Sequence, residues 1–79
     1  MDSNTTNLQR VRITAGLSQS QLATEAGLPL STIQKYEIGD RNIDRASLSI
    51  LCALAEALDA KIPEILESKE LKIRLKKDV

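Results

Sequence analysis

The sequence predicts an all-α fold, a compact bundle of about five short helices, and three observations carry that prediction. Apolar residues recur at three- and four-residue spacing in successive segments between Leu8 and Leu66, which is the period of helices with one buried face. These segments are punctuated by start and stop residues, with Gly16, Gly27 and Gly39 behind the first three and Asp44, Ser47 and Pro63 ahead of the later ones. No convincing strand pattern occurs before residue 69.

The first helix carries Leu8, Val11 and Ala15 and is ended by Gly16. The second opens on Ser18-Gln19-Ser20-Gln21. This S-x-x-Q form lets the Ser18 hydroxyl accept from the Gln21 amide while the Gln21 side chain returns to the Ser18 amide. Leu17 and Leu22 occupy the staple positions across that cap, and the helix runs from Gln19 to Ala26, where Gly27 stops it. A third helix, Leu30 to Ile38, follows almost at once, with Leu28 before it, Ile33 and Tyr36 as its apolar positions and Gly39 behind it. After the polar loop Asp40-Arg41-Asn42-Ile43, Asp44 is the expected N-cap of a fourth helix, with Ile43 and Leu48 as staple and Ser47 as a second cap candidate. That helix holds Leu48, Leu51, Leu54, Ala55 and Leu58, and Cys52 on the same side reads as a small buried core residue. Asp59-Ala60-Lys61 connects to a fifth helix with Ile62, Ile65 and Leu66, Pro63 fitting its first turn.

Residues 1–68 form the predicted domain, and residues 69–79 a basic C-terminal tail. Glu70-Leu71-Lys72-Ile73-Arg74-Leu75-Lys76 alternates strictly, the period of a half-buried strand. Two readings stand: a dimerisation strand that buries Leu71, Ile73 and Leu75 against a second copy, or a frayed cationic tail.

With 79 residues the chain has room for one domain, and such a domain buries only about 60% of its unfolded surface. One Cys and no His rule out an internal disulfide and a structural zinc site. Helix packing and self-association are the remaining stabilisers. No apolar run reaches the length of a membrane span, and Met1-Asp2-Ser3-Asn4-Thr5-Thr6 lacks the basic and apolar blocks of a signal peptide; the expectation is an intracellular soluble domain. Without His, a general base near neutral pH requires a strongly perturbed Glu, Asp or Lys in a pocket. The reading is therefore of a non-enzyme with no catalytic residues, cofactor or metal. Eleven basic residues balance eleven acidic ones, so any binding of nucleic acid must arise from local arrangement rather than whole-molecule attraction.

Two short helices joined by a Gly-containing turn describe a helix-turn-helix. Leu17-Ser18-Gln19, Leu22-Ala23, Gly27, Ser31-Thr32-Ile33, Tyr36-Glu37 and Gly39 resemble, at fixed spacing, the phage repressor and Cro type of helix-turn-helix family, whose fold is lambda repressor-like. The resemblance extends over about Leu8 to Leu66 and implies a recognition helix, Leu30 to Ile38, in the DNA major groove, with the preceding helix crossing the backbone. Mapped by position, the base-reading candidates are Ser31, Thr32 and Lys35, with Leu30 and Gln34 at the margins. Lys35 suits guanine O6 and N7, and Leu30 a thymine methyl. Gln19 matches the family's Gln that binds a phosphate or braces a recognition side chain. Ser18, Arg41, Arg45 and the main-chain amide of Ile38 are the other backbone candidates. The resemblance also makes Arg12 and Glu37 a partly buried structural ion pair.

Three positions depart from the family pattern. Pro29 stands where Ser or Thr often caps the recognition helix, which removes a side-chain cap worth about 0.5–2 kcal/mol. Leu30 replaces a commonly polar residue, and Ile38 a frequent Asn. The function implied is a sequence-specific transcriptional regulator, a dimeric repressor on a palindromic duplex, cytoplasmic and nucleoid-associated, encoded by a bacterium or phage. The alternative is an antitoxin or adaptor that binds a protein partner through the same fold.

Overall fold

Helix packing supplies the fold. The computed structural model describes residues 5–77, which form six α-helices and one short 3-10 turn. They are α1 (Asn7–Thr14), α2 (Gln19–Ala26), α3 (Leu30–Glu37), the 3-10 turn Ile43–Arg45, α4 (Leu48–Leu58), α5 (Ile62–Ile65) and α6 (Lys69–Lys77). Among the described residues no strand is present.

The predicted capping box of α2 is formed. Gln21 N donates to Ser18 Oγ at 3.0 Å and Ser18 N to Gln21 Oε1 at 2.8 Å. Gly27 closes the helix with φ +69°, a left-handed conformation that an L side chain adopts only at a cost. This lets α3 start three residues later and pack closely across α2. Pro29 precedes α3 without a side-chain cap, as its chemistry requires. Leu8, Leu22, Ile33, Leu54, Ile65 and Leu66 are almost wholly buried in one cluster drawn from α1 to α5 and its flank. Each such side chain stabilises the fold by about 1.5–3 kcal/mol relative to exposure.

Several boundaries differ from those expected. α1 ends at Thr14 with Ala15 as an exposed C-terminal cap, and Gly16 follows in the left-handed conformation, its N–H bonded back to Ile13 O at 3.0 Å. Ile38 is the C-terminal cap of α3 rather than its last turn. Ser47, not Asp44, caps α4: Ile50 N donates to its hydroxyl at 3.2 Å. The staple shifts with the cap, so Leu48 is 69% exposed while Leu51 is buried. Asp44 instead lies in the 3-10 turn, where its Oδ1 accepts from Glu67 N at 2.8 Å and Ser68 N at 3.2 Å. Cys52 is half-buried at the rim of α4 rather than inside the core.

The largest correction concerns the C-terminal segment, which is helix and not strand. Its residues Lys, Glu, Leu and Arg are strong helix formers. Ser68 starts the helix, accepting from Leu71 N at its hydroxyl (3.3 Å) and from Lys72 N at its carbonyl (3.1 Å). Glu70 and Arg74 pair at 2.8 Å one turn apart. In this geometry Leu71 turns inward against the core, whereas Ile73 is 57% exposed; the side chain of Leu75 lies outside the described residues.

Candidate nucleic-acid interface

The Arg12–Glu37 pair ties the site together. Glu37 is the only charged residue buried among the described residues, at 2% exposure. Its carboxylate accepts from Arg12 Nε at 2.6 Å, Arg12 Nη2 at 3.0 Å and Gln19 Nε2 at 3.0 Å. Arg12 Nη1 donates onward to Leu17 O at 2.8 Å, and Thr6 Oγ1 donates to the Glu37 carbonyl at 3.2 Å. A two-pronged guanidinium bond with every polar atom satisfied is the arrangement that makes a buried charge tolerable. It joins α1, the start of α2 and the end of α3, and so fixes the angle at which α3 is presented.

The opposite face of α3 is open. Ile33, Tyr36 and Glu37 face inward, while Ser31, Gln34 and Lys35 are exposed, Thr32 is half-buried and Leu30 is 39% exposed. Ile38 follows at 75% exposure. Residues 31, 34, 35 and 38 recur at helical spacing, so they form one stripe along the helix. The stripe is polar at residues 31, 34 and 35 and apolar at Ile38, with the partly exposed Leu30 beside its start.

The backbone-contact candidates divide into three kinds. Ser18 is exposed at the start of α2, its hydroxyl oxygen accepting from Gln21 N and its proton available to a further acceptor. Gln19 gives an amide hydrogen to Glu37 and keeps a second for another partner. Arg41 and Arg45 are exposed on the segment after α3. The Ile38 amide is already engaged, donating to Gln34 O at 3.1 Å, so a phosphate there has to share it.

Two features of this arrangement were missed by sequence reasoning. The Gln19–Glu37 bond has no local sequence signal, since the residues are eighteen positions apart. The cap of α1 did have one. Thr6 accepts from Gln9 N at 3.3 Å, and Thr6-Asn7-Leu8-Gln9 has the same T-x-x-Q form that marks a helix start elsewhere. Among the described residues no group of three or more Cys, Asp or Glu is placed to hold a metal ion, and no helix is long and apolar enough to cross a membrane.

Comparison with known proteins agrees with this geometry. A family model described as helix-turn-helix matches residues 8–65. The chain is similar to the restriction-modification controller protein C.AhdI from Aeromonas hydrophila, with 38% sequence identity and a TM-score of 0.67 over 76% of this chain and 86% of that one. No curated protein matches it.

Proposed function

Because the chain belongs to the phage repressor and Cro type helix-turn-helix family of DNA-binding regulators, we propose that it is a sequence-specific transcriptional repressor that binds a palindromic duplex as a homodimer in the cytoplasm. The observation that carries this reading is the exposed stripe of Ser31, Gln34 and Lys35 on a helix whose other side is locked by a buried ion pair. Inserted in the major groove, that stripe meets base edges, with Lys35 donating to guanine, Ser31, Thr32 and Gln34 bonding their neighbours and Leu30 against a thymine methyl. Ser18, Gln19, Arg41, Arg45 and the shared Ile38 amide hold the phosphates on either side. Two copies place their recognition helices about 34 Å apart, one turn of duplex.

Selection of bound duplexes from a random pool, followed by mobility shifts, tests the proposal. Lys35→Ala is expected to cost about 1–3 kcal/mol of discrimination at one position of each half-site, and Ser31→Ala to relax an adjacent one. Both variants should melt like the parent protein. An unselective pool, or variants with unchanged preference, would refute the assignment.

The dimer contact is expected from the fifth helix together with Leu71, Ile73 and Leu75 of the C-terminal segment. With α6 helical and Leu71 committed to its own core, Ile73 is, among the described side chains of α6, the apolar one presented outward. Ile73→Asp should move the sedimentation boundary from dimer to monomer, and an unchanged boundary would remove α6 from the contact and leave it to α5 alone. The exposed Leu30 and Ile38 support a second reading, an adaptor or antitoxin that docks a protein on α3. In that case no duplex would be retained from the pool.

A further inference from the structure

The family match ends at residue 65, and α6 lies beyond it. Charge is divided at the same place. Residues 1–68 hold six basic and nine acidic side chains, whereas residues 69–79 hold five basic and two acidic ones. The zero net charge therefore conceals a domain of net −3 joined to a segment of net +3. A domain of net negative charge repels a duplex at long range, and the attraction has to be supplied by the segment that follows it.

The structure also fixes where that segment begins. Asp44 Oδ1 accepts from Glu67 N and Ser68 N at 2.8 and 3.2 Å, which holds the start of α6 against the short turn that carries Arg45. Leu71, packed against the core, anchors the first turn of the helix as well. Lys72 is half-buried and Arg74 exposed. The Glu70–Arg74 pair has both side chains at least 70% exposed, so solvent screens it and it yields readily to another anion.

We propose that α6 is a second DNA-backbone-binding element of each copy, in which Lys72 and Arg74 contact phosphates next to those held by Arg41 and Arg45, and that Asp44 is the positioning residue that sets it there. The occupant is the sugar–phosphate backbone of the same duplex, chosen by charge complementarity and by continuity with the Arg45 turn. This inference rests on the DNA-binding reading above and adds to it a surface outside the family match.

The test is the slope of log affinity against log salt for the selected duplex. Each phosphate contact to a cation contributes about −0.9 to that slope. The double variant K72A/R74A, in a dimer, should therefore flatten it by about 3.6, with the preferred sequence and the melting temperature unchanged. Asp44→Ala should flatten it likewise, whereas Asp44→Asn, which retains the Oδ1 acceptor, should restore the parent slope. A parent slope that survives in K72A/R74A overturns the role of α6 while leaving the recognition helix intact, as the effects of Ser31→Ala and Lys35→Ala would then show. If the parent protein retains no duplex, both readings fall together.

Discussion

Arg12→Ala is expected to destabilise the protein by about 3–5 kcal/mol. The Arg12 side chain is 12% exposed and that of Glu37 1%, so removal of the guanidinium strands a carboxylate with one remaining side-chain donor, Gln19. For a domain of this size the loss is comparable to the whole folding free energy, about 5 kcal/mol at the low end of the usual range. The variant should be largely unfolded at 37 °C by circular dichroism, and its DNA affinity should fall with its folded fraction. The pair variant R12M/E37L removes both charges and should recover much of the stability, because replacing a buried pair by apolar residues is commonly close to neutral. If Arg12→Ala melts like the parent protein but loses DNA affinity, the guanidinium is a ligand of the duplex and not a strut.

The recovery expected of R12M/E37L also separates stability from presentation. With Glu37 gone, Gln19 loses its tie to α3 and the helix is held by Ile33, Tyr36, the glycine turn and the Thr6 bond to the main-chain carbonyl of residue 37. A protein that regains its melting temperature and yet binds the selected duplex less selectively would locate the function of the pair in orienting the stripe.

Most of the recognition unit was legible in the sequence because its signals are local. The box at Ser18–Gln21, the stop at Gly27 and the uncapped start at Pro29 each depend on residues within four positions, and each appears in the structure as expected. Apart from the local T-x-x-Q cap at Thr6, what escaped was set by distance. Asp44 has the chemistry of an N-cap, but Ser47 lies three residues on and Asp44 found the Glu67 and Ser68 amides, twenty-three and twenty-four positions away. The strict alternation of residues 70–76 suggested a strand, yet an apolar residue at every second position also leaves Leu71 and Leu75 one helical turn apart. Helix propensity, the Ser68 cap and a core for Leu71 to cover then decide the outcome. Local pattern defined the helices; long-range hydrogen bonds defined what the connecting turns do.

Salt should weaken the complex far more steeply than the neutral composition suggests. With no net charge on the chain, there is no long-range attraction of the whole molecule to be screened, and the dependence reports contacts alone. The neutral donors Ser18, Gln19 and the Ile38 amide bond phosphates without displacing counterions, so only cations enter the slope. If Arg41 and Arg45 are the only such cations, a dimer makes four contacts and affinity should fall about 10²-fold between 50 and 200 mM salt. With Lys72 and Arg74 added, the count doubles and the fall becomes about 10⁴-fold. Fluorescence anisotropy of a labelled half-site pair across that range resolves the two cases easily. A change below tenfold would contradict a phosphate-anchored complex of either kind, and would turn attention to a protein partner for the exposed ends of α3 at Leu30 and Ile38.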